Sequence, residues 1–564
     1  MTHREILKNN PFFLNEEQIQ WVENTLCSMN EEEKIGQLFC AEIRAGDNER
    51  LEVIVERFHM GAVMCLPSSA ADAHTMISTI QRLARVPLLI GGNLEEGADA
   101  VGGHCIANNL ELGAAGDPHL AGRMGEITAR EGTAVGVNWA FAPVVDIGIN
   151  WRNPVIATRV FSADSETVAE YGESFISNMQ LQGMAATMKH FPGDGVDERD
   201  QHFSPSVNSL SCEEWDRSFG SVYRRCIKAG VLTAMVGHIV QPAWAKAINP
   251  HLRDEEILPA STSKELITGL LRERLGFNGM ISTDSTTMTA FDQLLPRWKA
   301  IPSAIMAGCD MILFTEHMEE DIGFMKKALQ TGLLDPARLD EAVLRVLAVK
   351  AALRLPEKKL NNSLQLPLDE TLTVLAQQDG NRLSAACAAE SVTLVKDKDN
   401  LLPLSPATYK RVCLLAYAEG RGFGSKAEQV AYVVRNRLER EGFAVTVRKA
   451  GESYPEWSKI KEEFDWILYV SNQSSVSNRT VCRMDWTPSM GSDAPNYLSE
   501  IPTVFISFGN PYHLVDVPRV RTFINAYKFK KDTVDAVIRK ILGQEGFYGR
   551  NPVDPFCSFW DTAL

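Results

Sequence analysis

Met184-Ala-Ala-Thr-Met-Lys-His-Phe-Pro-Gly-Asp-Gly-Val-Asp-Glu-Arg-Asp-Gln-His202 is the stretch on which the fold turns. It opens as a short apolar run, the mark of a buried strand, and breaks at Phe191-Pro192-Gly193. Ionisable groups then crowd together. Two histidines, one lysine, one arginine, three aspartates and one glutamate fall within the fourteen residues from Lys189 to His202. A buried strand emptying into a charged loop is how a parallel barrel or open α/β sheet builds a site. Gly279-Met-Ile-Ser-Thr-Asp284 repeats the design, an apolar run ending on a carboxylate. Parallel strands place both endings on one face.

Working outward, strand-like runs at 60–66, 86–92, 137–145, 184–190, 231–236, 279–283 and 310–314 alternate with amphipathic helical runs. Those helical runs include 71–83, 165–182, 213–228 and 263–275, and helical patterns at 16–29 and 31–39 lead into the first unit. Such alternation predicts parallel strands with crossover helices, and the number of units favours a closed barrel. The expected fold class is α/β: an N-terminal (β/α)8 TIM-type barrel over 1–355, closed by a long helix at 335–355. A polar linker and connecting helix follow over 356–408, with a proline near each end of 356–368. A second alternation, with strands at 411–417, 443–447, 466–471, 503–508 and 522–527, predicts a smaller C-terminal α/β sandwich domain over 409–564.

The composition fits a globular protein of several domains. The 564 residues are 45% hydrophobic and 23% charged, too long for one core and too apolar for disorder. A net charge of −15 argues against nucleic acid or an anionic membrane as main partner. No run approaches about 18 consecutive apolar residues, and the N-terminus lacks the apolar core of a secretion signal. The 11 cysteines are scattered without a C-x-x-C pair, as in a reduced compartment, so a cytoplasmic protein is expected. No metal site is expected, since His190, His202 and Cys212 lack ligand spacing and the acidic loop lacks that of a Ca²⁺ loop. The run Gly-Arg-Gly-Phe-Gly-Ser-Lys at 420–426 lacks both phosphate-binding spacings, so no cofactor is implied. A homodimer is compatible with everything above.

On position alone, Asp284 is either a nucleophile at a strand's C-terminal end or a cap of the helix expected over 285–291. The surrounding residues add more. Lys189-His-Phe-Pro-Gly-Asp-Gly-Val-Asp-Glu-Arg-Asp200-Gln-His202 resembles the K-H-F-P-G-H-G-x(4)-D-x-H stretch of glycoside hydrolase family 3, β-N-acetylglucosaminidase branch. One fixed position departs, with Asp194 in place of histidine. Gly276-Phe-Asn-Gly-Met-Ile-Ser-Thr-Asp284-Ser-Thr-Thr-Met288 is similar to that family's nucleophile motif. Asn138-Trp-Ala-Phe-Ala-Pro-Val-Val-Asp146 and Arg159-Val-Phe-Ser resemble two more of its motifs, and the likeness runs over about residues 30–530 in the right order.

The resemblance implies a retaining glycosidase that needs no cofactor. Asp284 becomes the nucleophile and His202 the general acid/base, oriented by Asp200. That dyad makes physical sense, because imidazole titrates near neutral pH and a carboxylate two residues away can fix its tautomer. Lys189 and His190, which close their strand, are implied to bind sugar hydroxyls, with a buried ion pair supporting the loop as the alternative. Arg159 and Asn93 are further substrate-binding candidates; Asn93 stands where the family often has aspartate. His238, ending the next strand, either lines the pocket or packs in the core.

The expected partner is a small carbohydrate: terminal β-linked GlcNAc of cell-wall fragments or chito-oligosaccharides. A phosphorylase, a β-glucosidase and a non-catalytic sugar-binding protein remain as alternatives. The D-x-H loop speaks against β-glucosidase. Retention of Asp284, Asp200 and His202 speaks against loss of catalysis. A loop lent by the C-terminal domain is expected, if anywhere, within 471–493.

Overall fold

The structure is a computed structural model that describes residues 2–418, 425–449, 457–475, 477, 481–486 and 494–564. Most of the glycine-rich run at 420–426, and part of the polar stretch 471–493, lie outside the described residues. Two compact units form, neither of them one uninterrupted stretch. The first comprises Met1–Ile106, Ala121–Ile147 and Ser165–Gly380; the second comprises Ala107–Leu120, Gly148–Asp164 and Asn381–Leu564.

The first unit is an eight-stranded parallel barrel. Its strands are β1 (Phe39–Ile43), β2 (Ala62–Cys65), β3 (Leu89–Gly92), β4 (Trp139–Ala140), β5 (Thr187–Phe191), β6 (Thr233–Val236), β7 (Met280–Ser285) and β8 (Met311–Leu313). They pair in ring order, each with its sequence neighbour, and β1 pairs β8. Parallel bridges Trp139 to Ala185 and Val144 to Lys189 join the β4 and β5 edges. Backbone bonds from Ala140 N–H to the Ala185 carbonyl (2.8 Å) and Val145 N–H to the Lys189 carbonyl (2.8 Å) close that seam.

The strands are apolar on both faces because helices cover the outside and the inside is packed. The Trp139 indole N–H donates to Thr187 Oγ1 (2.9 Å) and Thr233 Oγ1 (3.0 Å), so β4, β5 and β6 share one interior layer. Each threonine hydroxyl in turn donates to a strand carbonyl, of Ala140 and Ala186 respectively. The buried polar groups are thus paired among themselves.

Two expectations are corrected here. The helix expected over 31–39 stops at Gln37, and a strand not expected from the sequence, Phe39–Ile43, begins at its last expected position. The run 137–145 forms a strand only at Trp139–Ala140, because Pro143 has no N–H to give the ladder. The remaining strands fall within two or three residues of their expected bounds. The helix expected over 335–355 spans Pro336–Ala352, and the polar linker after it contains a short helix, Leu355–Leu360.

The second unit is built on a six-stranded mixed sheet. Arg411–Ala418, Ala444–Arg448, Trp466–Gln473, Thr503–Gly509 and Thr522–Asn525 run parallel, and Thr393–Asp397 adds an antiparallel edge beside Thr522–Asn525. Period-two alternation sends Val412, Leu414, Leu468 and Ile506 to one core, and Cys413, Leu415, Tyr469 and Phe505 to the other. A third cluster explains the interrupted chain. Leu110, Val155, Ile156 and Val160 pack with Tyr512, Tyr527 and Val553, so the segments 107–120 and 148–164 cluster with the C-terminal residues.

Candidate active site

The chemistry gathers where the barrel strands end. Asp284 is the fifth residue of β7, and its carboxylate is 7% exposed. Oδ1 accepts the Ser285 N–H (2.8 Å), and Oδ2 lies 3.9 Å from His190 Nε2. Burial alone would raise its pKa. The positive potential of His190, His238 and His202, with the Ser285 N–H, outweighs that and holds the carboxyl below the usual range. An ionised, poorly hydrated carboxylate with an open oxygen is what a glycosyl nucleophile requires.

His190 ends β5 and is fixed from behind. Its Nδ1 sits 2.7 Å from Asp146 Oδ2, and its N–H donates to Asp146 Oδ1 (3.2 Å), leaving Nε2 toward Asp284. Lys189 pairs with Glu95 through a 2.6 Å Nζ–Oε1 contact. The loop that follows turns at Gly193, whose φ of +114° and whose ideal Cβ position, 2.1 Å from the Phe219 ring, admit only glycine. The Trp215 indole N–H pins the turn by donating to the Pro192 carbonyl (2.7 Å).

Asp200 and His202 sit farther along that loop. His202 Nδ1 is 2.6 Å from Asp200 Oδ1, which also accepts the His202 N–H at 2.9 Å. Asp200 is buried, whereas the His202 side chain keeps 27% of its surface exposed. With Nδ1 occupied, Nε2 is the nitrogen left to exchange a proton with a ligand. The His202 carbonyl accepts the Ala290 N–H (3.4 Å), tying this loop to the one after β7.

His238 follows β6 and is fully buried. Its Nε2 donates to the Ser285 carbonyl (2.9 Å), so Nδ1 accepts from Ser261 Oγ (2.9 Å). Burial holds its pKa below the usual value, against the opposing pull of Asp284. Both ring nitrogens are engaged, and the ring packs against Phe291 at 5.5 Å. It braces the backbone next to Asp284.

Asn93 lies one residue past β3 and is exposed. Arg159 belongs to the second unit, where its carbonyl accepts from Asn109 Nδ2 (2.7 Å). The barrel therefore brings together Asp284, His190, His202, Asp200 and His238, with Lys189 beside them in the sequence of β5. Asp146, Glu95 and Gln201 are partners that sequence reasoning did not single out. Asp146 carried a signal, since it ends the Asn138–Asp146 motif as Asp284 ends its own. Among the described residues, no three His, Cys, Asp or Glu side chains converge as a metal-holding group. Nor is any described helix long and apolar enough to cross a membrane.

Comparison with known proteins converges on the same identity. The family described as Glycosyl hydrolase family 3 N terminal domain matches residues 31–349. The Beta-N-acetylglucosaminidase/beta-glucosidase of Cellulomonas fimi is 44% identical over 98% of this chain and 99% of its own. Among solved structures, Beta-glucoside phosphorylase BglX superposes with a TM-score of 0.93 at 39% identity, covering 100% of both chains. A family 3 β-N-acetylglucosaminidase from Paenibacillus sp. str. FPU-7, 24% identical, shares the two-domain fold with a TM-score of 0.77 over 94% of this chain and 100% of its own. The match spans more than half of the chain, and it covers the strands that carry Asp284 and His190 and the loop that carries His202: the protein belongs to glycoside hydrolase family 3.

Proposed function

We propose that the protein is a retaining exo-β-N-acetylglucosaminidase that removes terminal β-linked GlcNAc from small cell-wall or chitin-derived oligosaccharides. The observation that carries the reading is the pairing of an ionised, half-open carboxylate, Asp284, with an Asp200–His202 dyad on the adjoining loop. Asp284 Oδ2 attacks the anomeric carbon while His202 Nε2–H protonates the departing glycosidic oxygen. Asp200 accepts the Nδ1–H throughout, keeping the proton on the correct nitrogen and the ring in place. His202, now neutral, takes a proton from water as it attacks the glycosyl-enzyme. The name of the Cellulomonas fimi relative supports both acetamido and plain glucosides as substrates of this architecture.

Phosphorolysis is the second reading, favoured by the whole-chain likeness to a β-glucoside phosphorylase. Its physical basis is the acid/base itself. A histidine, unlike a second carboxylate, becomes neutral rather than anionic after the first step, so an incoming phosphate meets less repulsion. One experiment separates the readings. Initial rates on 4-nitrophenyl β-N-acetylglucosaminide and on the matching β-glucoside are measured with and without phosphate, for wild type and His202→Ala. The expected result is faster turnover of the acetamido sugar, free GlcNAc as product and no dependence on phosphate. Phosphate-dependent turnover yielding a glycosyl phosphate establishes the second reading; preference for the glucoside overturns the substrate assignment.

A further inference from the structure

We infer that Gln201, between Asp200 and His202 in the sequence, is the positioning residue that sets the acid/base dyad, with Asp194 as its anchor. The inference rests on His202 serving as acid/base. Gln201 is fully buried on a loop whose neighbour His202 is partly open. Its Oε1 accepts the His238 N–H (3.0 Å) just past β6, and its Nε2 donates to Asp194 Oδ2 (3.0 Å) just past β5. Asp194 N–H donates to Asp146 Oδ1 (2.8 Å), the same oxygen that receives the His190 N–H. One continuous chain of bonds thus runs from β6 through Gln201, Asp194 and Asp146 to the imidazole beside Asp284.

The polarity of the chain is fixed. The backbone donor of His238 requires an oxygen, and the acceptor Asp194 requires an N–H, so Gln201 has one orientation. There is also no slack. A Cβ at Gly237 would stand 2.6 Å from Gln201 Oε1, so glycine leaves the space the amide fills. Asp194 departs from the histidine usual at its place, and its Oδ1 is spent on the Gly195 N–H (2.7 Å). The departure therefore builds a clamp. Side chains at 200 and 202 leave the loop from either side of the clamped residue, so displacement of Gln201 moves the dyad.

The test uses leaving groups that differ in their need for a proton. Glycosylation rates are measured by kcat/KM on a 2,4-dinitrophenyl and a 4-methylphenyl N-acetylglucosaminide. Gln201→Glu places two carboxylates face to face, whereas Gln201→Met keeps the length and removes both bonds. Either is expected to slow the 4-methylphenyl substrate on the order of 100-fold, as a displacement of about 1 Å does, and to spare the dinitrophenyl substrate. Asp194→Asn combined with Gln201→Glu reverses donor and acceptor and restores the rate. Melting temperatures show that each variant compared is folded, and Gln201→Met carries the test if Gln201→Glu does not fold. Equal slowing of both substrates, or no restoration in the folded double variant, overturns the clamp while leaving the acid intact. If His202→Ala itself fails to discriminate the two leaving groups, the acid assignment falls, and the clamp with it.

Discussion

Two buried aspartates stand at opposite ends of the same barrel, and the difference between them separates a structural charge from a reactive one. Asp310 immediately precedes β8, at the N-terminal end; Asp284 lies near the C-terminal end of β7. Burial works to raise the pKa of both, and cationic neighbours hold both below the usual range. The neighbours differ in kind. Asp310 Oδ1 receives Arg338 Nη2 (2.7 Å), and Oδ2 receives Arg272 Nη2 (2.5 Å) and the Ile281 N–H (2.9 Å). Guanidinium does not titrate in the working range, and contact saturates the oxygens. Asp284 is held by imidazoles acting largely through space, the contact to His190 being 3.9 Å. Its charge is stabilised while Oδ2 stays available.

The largest expected effect follows directly. Asp284→Asn is expected to lower kcat by about 10⁴-fold or more, with a melting temperature close to wild type, since among the described residues the side chain hydrogen-bonds only the Ser285 N–H. Asp310→Asn should do the reverse. It removes the carboxylate charge that pairs directly with Arg272 and Arg338, at a cost of about 3–5 kcal/mol, read by denaturant unfolding. Turnover per folded molecule should stay near wild type. Equal destabilisation by the two variants would break the distinction between saturated and open carboxylates.

A second buried charge at the N-terminal end sharpens it. Lys350, on the helix Pro336–Ala352, is fully buried, and its Nζ donates to Gln37 Oε1 (2.7 Å). With a neutral acceptor in place of a carboxylate, burial pushes its amine down to about 7. An unfolded lysine titrates at about 10.4. Between those values the unfolded chain holds a proton that the folded chain lacks, so stability rises as pH rises, by up to about 1.4 kcal/mol per pH unit. Lys350→Met should remove that slope and raise stability at neutral pH. A pH-independent difference between the two proteins would contradict it.

The same contrast of local and distant partners explains what was legible in the sequence. Asp284, Asp200 and His202 lie inside short motifs at strand ends, and seven of eight barrel strands are apolar runs with clear breaks. β1, Phe-Cys-Ala-Glu-Ile, is short, and the glycine before it, Gly36, lies inside the preceding helix and so does not mark the change. Asp146 acts on a residue 44 positions away, and Gln201 on one 37 positions away. Only the closed barrel brings these together. No periodicity announces a partner, so the support behind each proposed catalytic group was hidden although the group itself was not.

The smallest effect concerns the field that His190 exerts on Asp284. Of the influences that lower the Asp284 pKa against burial, His190 is the largest, ahead of His238 and His202. The proposed nucleophile, Asp284, must be ionised, so kcat/KM on a dinitrophenyl glycoside should fall only as pH drops through a value below the ordinary carboxylate range. His190→Gln removes the ring that exerts the largest of these influences, so that acidic limb should move upward. Asp146→Asn should move it the same way by less, because it loosens the hold on the ring without removing it. The position of the limb is the readout, since His190 also stands where a sugar hydroxyl would lie and its loss changes the height of the profile. An acidic limb that stays put in His190→Gln would mean that the open oxygen of Asp284 owes its charge to the bonds around Ser285. The contrast with Asp310 would then lie in geometry and not in the titratable field.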